Sequence, residues 1–98
     1  MPVDITQITA ATGSEIVLQL PAAPGTGFKW EPSSVPPGIE LVGRSYEPRD
    51  KDAIGGPGTQ TFKVRITAGG TYDLVFELKR PWEGQAAQAR TFHITTSP

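Results

Sequence analysis

The 98-residue sequence has no cysteine and a single histidine, His93. Without thiols there is no disulfide staple, no thiolate zinc site and no Cys-His nucleophilic pair, so the chain must hold together by packing alone. The same absence leaves the redox compartment open. His93 falls on the outer face of an expected strand, no Gly-x-Ser-x-Gly elbow is present, and the acidic residues are scattered. These facts remove the usual starting points for serine-based and paired-carboxylate hydrolysis. The chain is therefore read as a non-enzyme that needs no cofactor. Charge of either sign is also sparse: the net charge is −1 and the lysines and arginines form no stripe. A phosphate-tracking nucleic-acid surface and an electrostatic membrane surface are excluded on that ground. No apolar run approaches the roughly 20 residues that span a bilayer. The opening Met1-Pro2-Val3-Asp4-Ile5-Thr6 carries neither a basic n-region nor an apolar h-region. It reads as cytoplasmic as written, or as periplasmic or secreted if a signal peptide was removed.

What the sequence does contain is 11 glycines and 10 prolines. Each costs a helix interior about 1 or 3 kcal/mol respectively, so short strands separated by turns are expected. Alternation supports this. Tyr72, Leu74, Phe76 and Leu78 share one face against Thr71, Asp73, Glu77 and Lys79, with Val75 the exception. Phe62, Val64 and Ile66 alternate with Lys63, Arg65 and Thr67, and Phe92 and Ile94 alternate with Thr91, His93 and Thr95. Ala68-Gly69-Gly70 is a tight-turn signal between two of these runs. Ile16, Leu18 and Leu20 form a further face near residues 14 to 20, and Phe28 with Trp30 another near 28 to 33. Residues 3 to 9 and 39 to 46 complete a set of about seven strands. That spacing predicts an all-β, immunoglobulin-like antiparallel sandwich forming one domain over residues 1–98, acting as a monomer. If consecutive strands alternate in direction, the second, fourth and sixth connections leave the same end. These are the BC connection, Pro21 to Gly27; the DE connection, about Pro48 to Thr59; and the FG connection, Arg80 to Gln85.

The segments Pro24-Gly25-Thr26-Gly27-Phe28-Lys29-Trp30, which runs on into the next strand, Gly55-Gly56-Pro57-Gly58-Thr59 and Arg80-Pro81-Trp82 fall at those three connections. In order and spacing they resemble the three signature motifs of the chagasin-like inhibitors, inhibitor family I42. Similarity continues into Phe62-Lys63-Val64 and Ala68-Gly69-Gly70-Thr71. Three departures stand out: Ala23 replaces the family's asparagine, Gly25 its first threonine, and Pro57 a glycine of the second motif. The resemblance implies a reversible, tight-binding inhibitor of papain-like cysteine proteases of the cathepsin L or papain type. Its middle loop would cover the catalytic cysteine while the flanking loops grip the cleft walls. The protease-binding set it implies is Pro24, Gly25, Thr26, Gly27, Phe28, Gly55, Gly56, Pro57, Gly58, Arg80, Pro81 and Trp82.

Read without the resemblance, each feature has a plainer alternative. Glycines at 25 and 27 permit positive φ and a close backbone approach, but such residues fill ordinary turns too. Trp30 shares a face with Phe28 and is assigned to the core, where such sandwiches often carry a strand-C tryptophan. Trp82 follows a proline in a loop, which suits an interface anchor, or else it folds over the end of its own sandwich. Arg80 either holds its loop, by bonding backbone carbonyls or pairing with Glu83, or reaches for a carboxylate on the enzyme. Gly55 to Gly58 is not a phosphate cradle, since no Gly-Lys-Ser/Thr and no helix follow. The alternative function is a non-inhibitory adhesion or carbohydrate-binding module in which Trp82 stacks on a sugar or a partner domain.

Overall fold

Apolar residues at every second position force each strand to bury one face, and two such faces packed together make the core. The computed structural model describes residues 3–22, 24–49 and 57–97. Its strands are β1 (Val3–Ala11), β2 (Glu15–Ala22), β3 (Lys29–Ser34), β4 (Ile39–Pro48), β5 (Gly58–Ile66), β6 (Thr71–Lys79) and β7 (Gln88–Ser97). One sheet has the order β1-β7-β6-β3 and the other β2-β5-β4. The pairings are antiparallel except that of β1 with β7, which is parallel. The result is an immunoglobulin-like sandwich.

β5 carries the pattern most strictly, with Phe62, Val64 and Ile66 fully buried between solvent-facing neighbours. Opposite them lie Leu74 and Phe76 of β6 and Phe92 and Ile94 of β7. The Phe76 ring lies 4.5 Å from Phe62 and 5.8 Å from Phe92, the latter edge to face. Burying each such side chain contributes about 1.5–3 kcal/mol, which is the kind of cohesion a chain without disulfides requires. Trp30 is buried in the same cluster, as its pairing with Phe28 predicted.

Two polar features close the frame. The Tyr72 hydroxyl reaches back to the carbonyls of Ala68 (2.9 Å) and Gly69 (3.1 Å), a tyrosine corner of the kind that steadies the turn into this strand of immunoglobulin-like sandwiches. At the open edge of β3, the Trp30 N–H donates to Gln60 Oε1 (2.8 Å) and the Gln60 amide N–H donates to the Trp30 carbonyl (3.2 Å). A side chain of one sheet thus completes a backbone ladder of the other. Pro32, two residues on, has no N–H to leave unpaired. An edge sealed in this way offers little to an incoming strand. Arg44 of β4, an edge strand of the second sheet, ties it to β3 through Glu31 at 3.0 Å. On the outer faces Arg65 pairs with Glu15 (2.7 Å), and His93 with Asp73 (2.7 Å) as its outward position anticipates. The hydrogen bond and charge of Glu15 raise the Arg65 pKa further above its ordinary value.

Strand register decides where the loops emerge. Ala22 pairs with Gly58 and Pro48 with Gly58, so β2 ends where β5 begins and β4 ends. In the other sheet Lys29 pairs with Lys79 and Leu78 with Gln88, so β3 begins where β6 ends and β7 begins. The BC connection joins the two sheets at this end. All three connections therefore share it, as the alternation of strand direction predicted.

Candidate functional site

Proline and glycine shape the BC connection residue by residue. Pro24–Thr26 form a single 3₁₀ turn, which the fixed φ of proline suits. Of the two glycines expected to permit positive φ, Gly25 lies inside this turn, whose regular form has negative φ. The left-handed conformation falls on Gly27, with φ 85°. The Phe28 N–H donates to Thr26 Oγ1 at 3.4 Å, so the threonine turns back on its own loop.

Arg80 joins this loop to the FG connection. Its Nε donates to the Thr26 carbonyl at 3.1 Å, and another guanidinium nitrogen pairs with Glu83 at 3.1 Å. The guanidinium also lies 4.3 Å above the Phe28 ring and 5.8 Å from that of Trp82. Of the two roles open to Arg80 from the sequence, loop-holding accounts for its contacts. Both suggested means, a backbone carbonyl and Glu83, are used together.

Trp82 is 71% exposed, so it is not buried between the sheets. The rim of its ring lies against the BC loop: a Cβ on Gly27 would stand 2.7 Å from Trp82 Cη2. Glycine at 27 thus serves the φ angle and the close approach of the indole at once. A hydrogen bond from Glu83 N to the Arg80 carbonyl (3.1 Å) closes the turn that presents Pro81 and Trp82.

In the DE connection Gly55 and Gly56 lie outside the described residues. Its base is pinned by the Arg49 N–H on the Pro57 carbonyl at 3.0 Å. β4 and β5 extend further toward this end than alternation alone suggested, so Gly58 is the buried first residue of β5. The hydroxyl end of Tyr46 and the Glu47 carbonyl occupy the place a Cβ would take, leaving no room for a side chain. Between the three roots lies an open hollow of about 330 Å³, lined by Pro21, Ala22, Thr26, Phe28, Pro57, Leu78 and Gln88.

The structure thus brings Thr26, Gly27, Phe28, Pro57, Arg80, Pro81 and Trp82 to one end, with Pro24 and Gly25 in the turn and Gly58 beneath the loops. Sequence reasoning missed Gln60. It stands at the parity of Phe62, Val64 and Ile66, and a polar residue on an otherwise apolar face was the available signal.

The described residues thus form an all-β domain of the class that carries its loops at one end, with the BC and FG loops fastened to each other beside the root of the DE connection. Comparison with known proteins says which class. The chagasin family of peptidase inhibitors, I42, matches residues 9–96. Chagasin of Trypanosoma cruzi is 32% identical over 92 residues, covering 89% of this chain and 84% of chagasin. The chain belongs to the chagasin family of peptidase inhibitors. Solved structures agree on the fold: the cysteine protease inhibitor EhICP2 of Entamoeba histolytica superimposes with a TM-score of 0.73 at 19% identity, covering 98% of this chain and 96% of its own. Amebosin gives 0.74 at 23%, covering 99% of both chains. PbICP-C, solved in complex with falcipain-2, gives 0.71 at 15%, covering 97% of this chain and 89% of its own. Family membership sets aside the adhesion or carbohydrate-binding alternative.

Proposed function

We propose that the chain inhibits papain-like cysteine proteases reversibly, by inserting the BC loop into the substrate cleft over the catalytic cysteine while the DE and FG loops hold the cleft walls. The contact set is Pro24 to Phe28, Gly55 to Pro57 and Arg80 to Trp82, with Gly58 supporting the middle of it from below. The observation that carries this reading is the exposed Trp82 held against Gly27 by a loop that Arg80 fastens.

Two physical points support it. A 3₁₀ turn advances about 2 Å per residue, against about 3.3 Å for an extended strand. The segment Pro24–Thr26 therefore fills a cleft without laying a peptide bond along it as an extended substrate does, and so it can block the nucleophile without being cut. Loops already fastened to each other also lose little conformational entropy on docking, which lets an interface of about 1,600 Å² bind tightly.

The experiment is a titration of papain, and of a cathepsin L-type enzyme, with the purified protein. Stoichiometric loss of activity at nanomolar to micromolar inhibitor is the expected result. Full activity of both enzymes at micromolar inhibitor overturns the proposal.

A further inference from the structure

Among the described residues Gln60 is the buried polar side chain, and both ends of its amide bond the backbone of Trp30 across the sandwich. Its position gives this contact a meaning beyond edge sealing. Gln60 is two residues from Gly58, where the DE loop enters β5; Trp30 is two residues from Phe28, where the BC loop ends. The Trp30 indole N–H in turn donates to the Pro21 carbonyl at 2.7 Å, at the other root of the BC loop. One side chain on β5 is therefore linked to both roots of the BC loop through Trp30. Arg80 makes the corresponding link from the FG loop.

We infer that Gln60 is a positioning residue for inhibition: its amide fixes the BC loop relative to the DE loop and so sets how deep Thr26 and Gly27 enter the enzyme. The inference rests on the proposed mode of inhibition. The chemistry is specific, because Trp30 presents a donor and an acceptor side by side, and the partner must offer an acceptor and a donor at the same spacing. An amide does so at every pH. A carboxyl of the same length does so only when protonated. The titratable and charged neighbours on the packed strands are Lys29 and Glu31 of β3 and Arg44, Tyr46 and Glu47 of β4, while the register neighbour on β2 is Leu20. The bonds to the Trp30 backbone N–H and carbonyl both come from the Gln60 amide.

The test is the Gln60→Glu variant, with its inhibition constant divided by that of the unchanged protein at each pH between about 4.5 and 7.5, a window above the ordinary glutamate value of about 4.3 into which burial moves such a group. The division cancels the enzyme's own pH dependence. The ratio is expected near one at the acid end and about tenfold or more at the neutral end, as the introduced carboxylate loses its donor and faces the Trp30 carbonyl. Gln60→Met, which keeps the length and offers neither group, should be weakened by a similar factor with no pH dependence. A flat ratio for Gln60→Glu, or unchanged inhibition by Gln60→Met, overturns the inference. A protease-independent arm separates this from failure of the functional reading: the amide resonances of Thr26 to Phe28 should shift with pH in Gln60→Glu and stay fixed in the unchanged protein. If no papain-like enzyme is inhibited, the function fails, and resonances that stay fixed in the variant sink the joint as well.

Discussion

Trp82, exposed over 71% of its surface and resting on Gly27, is the residue where stability and the proposed protease contact should separate most cleanly. Since little of the ring is buried in the free protein, Trp82→Ala should leave the melting temperature within a few degrees of the original, as surface substitutions shift stability by only about 0.5 kcal/mol. Inhibition should weaken about tenfold or more, the loss typical of a central aromatic anchor. A melting curve beside an inhibition titration checks both halves. Gly27→Ala tests the partner. The new methyl must adopt φ 85°, at a strain of about 1–3 kcal/mol, and it collides with the indole. A lower melting point and a shifted tryptophan emission are expected together. Arg80→Lys keeps the charge but not the fork that serves Thr26 and Glu83 at once, so it should behave as a loss and not as a conservative exchange. At this scale the sequence was legible where chemistry is distinctive: a tryptophan after proline, an arginine near a glutamate. Gln60 was not, because alternation is read from apolar residues and its partner is a backbone 30 positions away.

The strand β6 was readable to the residue, and β5 and β7 in their middles, because their inner positions are large and their outer ones polar. Ends were harder. β4 and β5 run on to Pro48 and from Gly58, past the last apolar residue, because cross-strand hydrogen bonds continue after the hydrophobic pattern stops. Residues of low strand propensity were read as loop for that reason. β3 shows a second effect, since its register shifts between Pro32 and Ser34, and a bulge leaves no trace in simple alternation. The aromatic stack of β5 and β6 yields an element-level prediction. Phe62→Ala removes a fully buried ring packed 4.5 Å from Phe76, at a cost of about 3–5 kcal/mol. Against the roughly 5–15 kcal/mol typical of a whole domain, denaturant unfolding should show the midpoint falling by a large fraction. The inhibition constant of the fraction still folded should stay close to the original, since the loops hang from hydrogen bonds that Phe62 does not make.

For the molecule as a whole, the sharing of one end by the three loops was predictable from parity alone, with no knowledge of which strands pair. How the strands divide between sheets was not, because alternation says that a face is buried and not against what. The parallel pairing of β1 with β7 belongs to that unreadable remainder, and it places the first and last described residues. Val3 lies beside Ala89, at the loop end, and Ala11 beside Ser97, at the far end. A bulky fusion placed ahead of residue 3 should therefore obstruct the protease and weaken inhibition, while the same fusion after Ser97 should leave it unchanged. Parallel titrations of the two fusions decide the matter. The same geometry governs how the domain carries tension. Pulled by its two ends, it drags β1 and β7 past each other along their length, so the rungs between them share the load and must fail nearly together. Pulled instead across the β6–β7 hairpin, the rungs open in succession, like a zip. A force probe should find the first direction much the stronger of the two.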